Sequence, residues 1–153
     1  MHPEDRAAIE HEASFYDDPQ AAVIEALKIV QKREGWVSDG AIRAIGEVLG
    51  LGESTVDGVA TFYNMIFRQP VGRHVIKLCD STPCYLCGYE KLKDAFCEHL
   101  GIDYGQTTPD NRFTLLPIVC LGACDRAPVL MIDDDTHFNV TPDKIDALLE
   151  PYA

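Results

Sequence analysis

The chain has 153 residues, 46% of them hydrophobic and 25% charged, a length that suits one ordinary domain or two small units sharing a core. With 13 basic and 25 acidic residues the formal net charge is -12, which argues against nucleic acid as a partner, because phosphate binding needs a basic face. No apolar run approaches the roughly 20 residues that span a bilayer, and Met1-His2-Pro3-Glu4-Asp5-Arg6 lacks the basic and apolar regions of a signal peptide, so a cytoplasmic protein without direct membrane insertion is expected.

Residues 3–67 show helical spacing and no strand-like alternation. A first helix is expected over Glu4 to Tyr16. A second starts at Asp18-Pro19, where Asp can cap and Pro suits the first helical position. Its apolar residues Ala22, Val23, Ala26, Leu27 and Val30 recur at three- and four-residue steps and form one stripe. Gly35 ends it. Ser38 opens a third helix carrying Ile42, Ile45, Val48 and Leu49, which stops at Gly50. Ser54-Thr55-Val56-Asp57 resembles a capping box for a fourth, with Val56, Val59, Ala60, Tyr63 and Phe67 on one side. Four short helices with short connections predict a small bundle over 1–70. The apolar group Val59, Phe62, Tyr63, Met65, Ile66 and Phe67 covers more than one helical stripe. It either packs the bundle and its neighbour or docks a partner subunit.

Arg68-Gln69-Pro70-Val71-Gly72-Arg73 is a break. Residues 71–153 then read as strand (74–79), helix (83–100), strands (113–119, 128–132 and 137–140) and a last helix (142–150). Thr82 before Pro83 and Thr141 before Pro142 look like helix starts, and Gly101 like a helix end. Asp133-Asp134-Asp135 lacks the glycine and distal glutamate of a calcium loop and reads as a solvated hairpin tip. The fold class is α+β: a small helical bundle followed by a compact strand–helix domain.

The chemistry lies in the cysteines. Cys79 and Cys84 follow the first strand, and Cys120 and Cys124 follow the second. In a reducing compartment, clustered cysteines point to metal binding or redox catalysis rather than to a disulfide framework. A [2Fe–2S] cluster takes four cysteines, two per iron, and these two pairs supply them. Gly122 allows close backbone approach, and Cys84 lies in the first turn of the expected helix 83–100, whose positive end favours thiolate. Tetrahedral zinc uses cysteines at similar spacing. Cys84-Tyr85-Leu86-Cys87 also matches the C-x-x-C of thiol-disulfide enzymes, and Cys79, Cys84 and Cys87 match plant-type ferredoxin spacing. Either of the last two registers leaves Cys120 and Cys124 without a full explanation. Cys97 reads as a buried thiol. The five histidines show no metal-ligand spacing, and no dinucleotide or P-loop motif is present.

Several segments carry a family resemblance: Glu25-Ala26-Leu27-Lys28-Ile29-Val30-Gln31-Lys32, Gly35-Trp36-Val37-Ser38-Asp39-Gly40-Ala41-Ile42, Gly58-Val59-Ala60-Thr61-Phe62-Tyr63, Phe67 to Ile76, and Cys120-Leu121-Gly122-Ala123-Cys124. With the C-x4-C…C-x3-C pattern, they make the chain resemble, over essentially its whole length, the E subunits of bacterial NADH-quinone oxidoreductases. The resemblance implies an N-terminal helical bundle and a thioredoxin-like domain holding one [2Fe–2S] cluster, with Cys79, Cys84, Cys120 and Cys124 as its ligands.

The same resemblance implies an electron-transfer subunit of a proton-pumping NADH:quinone oxidoreductase (complex I). Its partners are then a flavoprotein subunit that binds NADH and FMN, with which the cluster exchanges single electrons, and a further iron–sulfur subunit of the peripheral arm. The expected location is the cytoplasmic side of the inner membrane. Related subunits occur in NAD-dependent formate dehydrogenases and NAD-reducing hydrogenases. Four thiolates leave an oxidised [2Fe–2S] centre at about -2 and a reduced one at about -3, so an acidic chain predicts a low potential, with Lys77 and Arg126 as offsetting charges.

Overall fold

The computed structural model describes residues 1–152, which divide into two compact units at Pro70 and Val71. The first unit is all helix. Helix α1 (Pro3–Ala13) starts on His2, whose Nδ1 accepts from the Glu4 amide at 3.3 Å. It ends three residues before the expected Tyr16, because Ser14 turns its hydroxyl back onto the His11 carbonyl at 2.6 Å. Asp18 caps a 3-10 turn over Pro19–Ala22, which leads into α2 (Val23–Glu34). Gly35, at φ +80, closes α2 in the left-handed conformation. Helix α3 (Asp39–Leu49) is capped by the Ser38 hydroxyl, which accepts from the Ala41 amide at 3.2 Å.

Helix α4 (Glu53–Phe62) differs from expectation at both ends. Gly52 occupies the cap position with no side-chain bond, so Ser54 lies inside the first turn and forms no capping box. The cause is the tight return from α3, where the Leu51 amide bonds the Gly46 carbonyl at 2.9 Å. A Cβ on Gly46 would lie 2.8 Å from the Leu51 carbonyl oxygen. Helix propensity alone predicts that Gly46→Ala stabilises by ~1 kcal/mol. Overpacking against backbone costs about 1–3 kcal/mol, so a net loss of about 1 kcal/mol is expected, read as a lower urea midpoint at unchanged slope.

Tyr63 and Phe67 fall outside α4, since Tyr63 is already extended. The segment after it is held by Gln31, whose Nε2 donates to the Met65 carbonyl at 2.8 Å and whose Oε1 accepts from the Phe67 amide at 2.6 Å. Arg68 then braces the helix starts, donating to Asp57 at 2.9 Å, to Asp39 at 2.7 Å and to the Val37 carbonyl. Ile9, Val23, Leu27, Val30, Ile45 and Val56 fill the bundle core.

The second unit is a four-stranded mixed sheet in the order β2-β1-β3-β4, with β1 His74–Cys79, β2 Phe113–Ile118, β3 Leu130–Ile132 and β4 Asp135–His137. Strands β1 and β2 run parallel, paired from His74–Phe113 to Cys79–Ile118, so both end at the same edge. Strand β3 pairs antiparallel to β1 and to β4. The expected helix 83–100 is two helices, α5 (Thr82–Leu86) and α6 (Tyr89–Leu100), separated at Gly88 with φ +104. The final helix α7 spans Ile145–Leu149, with 3-10 turns on either side. Phe96, Leu92, Ile76, Leu78, Leu115 and Leu130 centre the core.

The hairpin turn is Asp133-Asp134, within the expected tip, with Asp133 at φ +53, and β4 starts at Asp135, two residues earlier than the expected strand 137–140. Asp134 and Asp135 are exposed as expected, while Asp133 is half-buried and bonded. Its carboxylate accepts from the Val75 amide at 2.8 Å and contacts His74 Nδ1 at 2.6 Å, and its own amide bonds the Val75 carbonyl. Among the described residues, no helix is long and apolar enough to cross a membrane.

Candidate metal centre

The parallel pairing of β1 and β2 delivers both cysteine loops to one edge of the sheet. Two backbone bonds stitch the loops together: the Asp80 amide to the Ile118 carbonyl and the Cys79 amide to the Val129 carbonyl, each at 3.1 Å. Cys79 and Cys84 are buried among Ile118, Ala123 and Val129, while Cys120 and Cys124 are exposed. One half of the site is therefore walled by protein and the other faces outward.

The thiols stand as two pairs. Cys120 Sγ lies 3.4 Å from Cys124 Sγ, and Cys79 and Cys84 are buried in one cluster. Each pair splits into a more and a less acidic member. Burial opposes ionisation of Cys79, yet the Ser81 amide and hydroxyl, the Leu121 amide and the Cys84 thiol together bring it below its ordinary value. Burial pushes Cys84 up to about 11, with the Val129 amide partly countering and the Cys79 charge adding. The Gly122 amide, then the Cys124 thiol, lower Cys120. Donation to Cys120, then burial, raises Cys124. The Cys79 charge is felt at Cys84, Cys120 and Cys124, so the pairs belong to one electrostatic site.

The donor set fits a [2Fe–2S] cluster. It is all thiol, in two pairs, and each pair already has N–H donors directed at sulfur. Among the described residues, no three His, Cys, Asp or Glu side chains converge on a single ion position.

Several sequence expectations change here. The dipole of a long helix does not act on Cys84, because α5 has five residues and Gly88 separates it from α6. Gly122 sits at φ +79 and its amide donates to Cys120 Sγ at 3.4 Å. A Cβ there would meet open space, so backbone conformation, not close approach of protein atoms, requires glycine. Lys77 is buried and donates from Nζ to the Asp133 carbonyl at 2.8 Å, with Asp134 and Asp133 as its nearest charges, so its ammonium serves the hairpin turn. The Arg126 guanidinium stacks on Phe138, 3.7 Å from the ring centroid.

Cys87 is exposed at the end of α5, where its amide closes the turn onto the Pro83 and Cys84 carbonyls. Cys97 is half-buried on α6, its thiol pushed up by burial and by the charge of Asp103. The sequence reading missed Ser81 and the Leu121 and Val129 amides. Only Ser81 left a local trace, as a serine one residue before the Thr-Pro start.

Residues 9–153 match the model of the thioredoxin-like [2Fe–2S] ferredoxin family. The chain is 64% identical over 149 residues to the NADH-quinone oxidoreductase E subunit of Pseudomonas aeruginosa, covering 97% of this chain and 90% of that one. To the protein of the same name in Escherichia coli K12 it is 61% identical over 148 residues, covering 97% and 89%. A crystal structure of an NAD+-reducing [NiFe]-hydrogenase in the H2-reduced state superposes with a TM-score of 0.71 at 25% identity, over 85% of this chain and 22% of that much longer one. The chain belongs to the thioredoxin-like [2Fe–2S] ferredoxin family, in its branch of NADH-quinone oxidoreductase E subunits.

Proposed function

We infer that this chain is the electron-carrying E subunit of an NADH:quinone oxidoreductase. Residues 1–70 form its helical bundle, and 71–153 form the thioredoxin-like domain. The carrying observation is the pair of two-cysteine loops, stitched together at one sheet edge and half open to the outside. Cys79 and Cys84 hold the inner side of the cluster and Cys120 and Cys124 the outer side. The bound cluster supplies one-electron transfer. The protein's part is to bind it, exclude water from its inner side, and direct N–H groups at its sulfur ligands, which stabilises added negative charge.

Tyr85 and Leu86, directly after Cys84, and Val119, directly before Cys120, are exposed, as suits an interface with a flavoprotein subunit that binds NADH and FMN. That subunit, a further iron–sulfur subunit of the peripheral arm, and a place on the cytoplasmic face of the inner membrane complete the proposal. The hydrogenase likeness favours a second reading, the equivalent module of an NAD-reducing hydrogenase. The identity of 64% to an oxidoreductase subunit outweighs it. A thiol-disulfide enzyme is disfavoured, since its attacking cysteine is exposed and acidic, whereas Cys84 is buried with its pKa pushed up to about 11.

Anaerobically purified protein is expected to hold about two iron and two acid-labile sulfide per chain and to show an EPR signal on reduction. Its potential should fall toward the roughly -400 mV of plant-type clusters. Tightly bound zinc with no response to dithionite sinks the assignment, and a potential above zero sinks the electrostatic argument.

A further inference from the structure

The loop that carries the outer cysteine pair has little packing to hold it. Ala123 is buried, whereas Val119, Cys120, Gly122, Cys124, Asp125 and Arg126 are exposed. Among the described residues, one main-chain bond ties 119–127 to another segment, from the Asn139 amide to the Arg126 carbonyl at 2.9 Å. Arg126 also closes the loop on itself, its amide donating to the Ala123 carbonyl at 3.0 Å.

The Arg126 side chain reaches the same segment as its main chain. Its guanidinium carbon stands 3.7 Å from the centroid of the Phe138 ring. Phe138 is half-buried and packs against the cluster of Cys79, Cys84, Ile118, Ala123 and Val129. Charge pairing does not account for this pose. The Asp125 carboxylate is 3.9 Å from Arg126 Nε and exposed, and an exposed pair of that length contributes little. A planar, weakly hydrated guanidinium gains instead from lying on an aromatic face. Main chain and side chain of Arg126 thus both fasten the outer loop to residues 138 and 139, and Phe138 passes the hold to the buried half of the site.

We propose that Arg126 is a positioning residue for the outer ligands, its guanidinium clamping the Cys120–Cys124 loop onto Phe138 and so slowing loss of the bound cluster. The consequence for the cluster rests on the [2Fe–2S] reading above, whereas the clamp itself belongs to the polypeptide with or without metal. Its physical basis is that a loop with few buried contacts opens locally, with an equilibrium set by the contacts it does make. Each opening carries both outer thiols away from the buried pair, so a contact that opposes opening also opposes release of iron.

The test compares Arg126→Gln, Phe138→Leu, Phe138→Tyr and the double variant Arg126→Gln/Phe138→Leu in the full chain. Two quantities are measured: amide hydrogen exchange of the apo-protein, and iron release to a chelator from the loaded protein. Arg126→Gln and Phe138→Leu are each expected to speed exchange across 120–127, and iron release, by about two- to fivefold. In Arg126→Gln, β1 and β2 should exchange as in the parent. Adding Arg126→Gln to Phe138→Leu should change neither quantity further, because the contact is already gone. Phe138→Tyr keeps the ring and should match the parent. Parent-like exchange across 120–127 in either single variant, effects that multiply in the double variant, or faster exchange throughout β1 and β2 in Arg126→Gln overturns the clamp. A parent protein without iron and sulfide overturns the [2Fe–2S] reading instead, while exchange in the apo-protein still judges the clamp.

Discussion

Serine in place of Cys84 is expected to reduce iron from about two to well under one per chain and to abolish the EPR signal, because each iron of a [2Fe–2S] centre needs two soft thiolates. The effect should exceed that of Cys124→Ser in one respect. Cys84 is 1% exposed and packs against Val129 and Ile118, so a serine hydroxyl there also costs about 1–3 kcal/mol of apo-protein stability through unsatisfied burial. Cys124 is exposed, and its serine variant should lose the cluster while keeping the apo-protein's denaturation midpoint. Cys87→Ser should leave iron, sulfide and spectrum unchanged. A Cys87 variant that loses its cluster, beside Cys120 and Cys124 variants that keep theirs, moves the ligand set to the plant-type register. Thiol labelling of apo-protein gives a parallel check, with Cys87, Cys120 and Cys124 reacting well before Cys79 and Cys84.

Phe96→Ala is expected to destabilise the second unit by about 3–5 kcal/mol, the range for deleting a fully buried aromatic side chain. Phe96 is 0% exposed on α6 and lies in the same core as Ile76 and Leu78 of β1 and Leu115 of β2. These strands carry Cys79 and lead to Cys120, so the cavity lies under the ligand platform. The expected outcome is a large drop in urea midpoint for the apo-protein and faster loss of iron to a chelator in the loaded protein. A loss below about 1 kcal/mol contradicts the assignment of Phe96 to the centre of that core.

Local signals were legible where they act within one turn of chain. The stripe Val23, Ala26, Leu27, Val30 is buried as its spacing implied, and Gly35 and Gly50 close their helices with positive φ. Misreadings arose where a distant contact outweighed a local preference. The Ser54 capping box yields to Gly52 because the chain is pressed against Gly46. The break of the expected helix 83–100 at Gly88 is different: it is a local positive-φ conformation that apolar periodicity does not register. The expected solvated tip is found at Asp134 and Asp135, while the half-buried Asp133 also bonds Val75 and contacts His74.

At the metal centre the same division holds. Two close cysteine pairs at the ends of apolar runs, in an acidic chain, determined by sequence alone that soft thiolate chemistry was on offer and which four residues to examine. Tertiary structure decided that one pair is buried and the other exposed, that Lys77 turns to the hairpin, and that Ser81, Leu121, Gly122 and Val129 supply the donors around sulfur. The reason is physical. Thiolate character belongs to the residue type, whereas burial and hydrogen bonding at sulfur come from the parallel pairing of β1 with β2, which joins loops remote in sequence and leaves no trace in local periodicity.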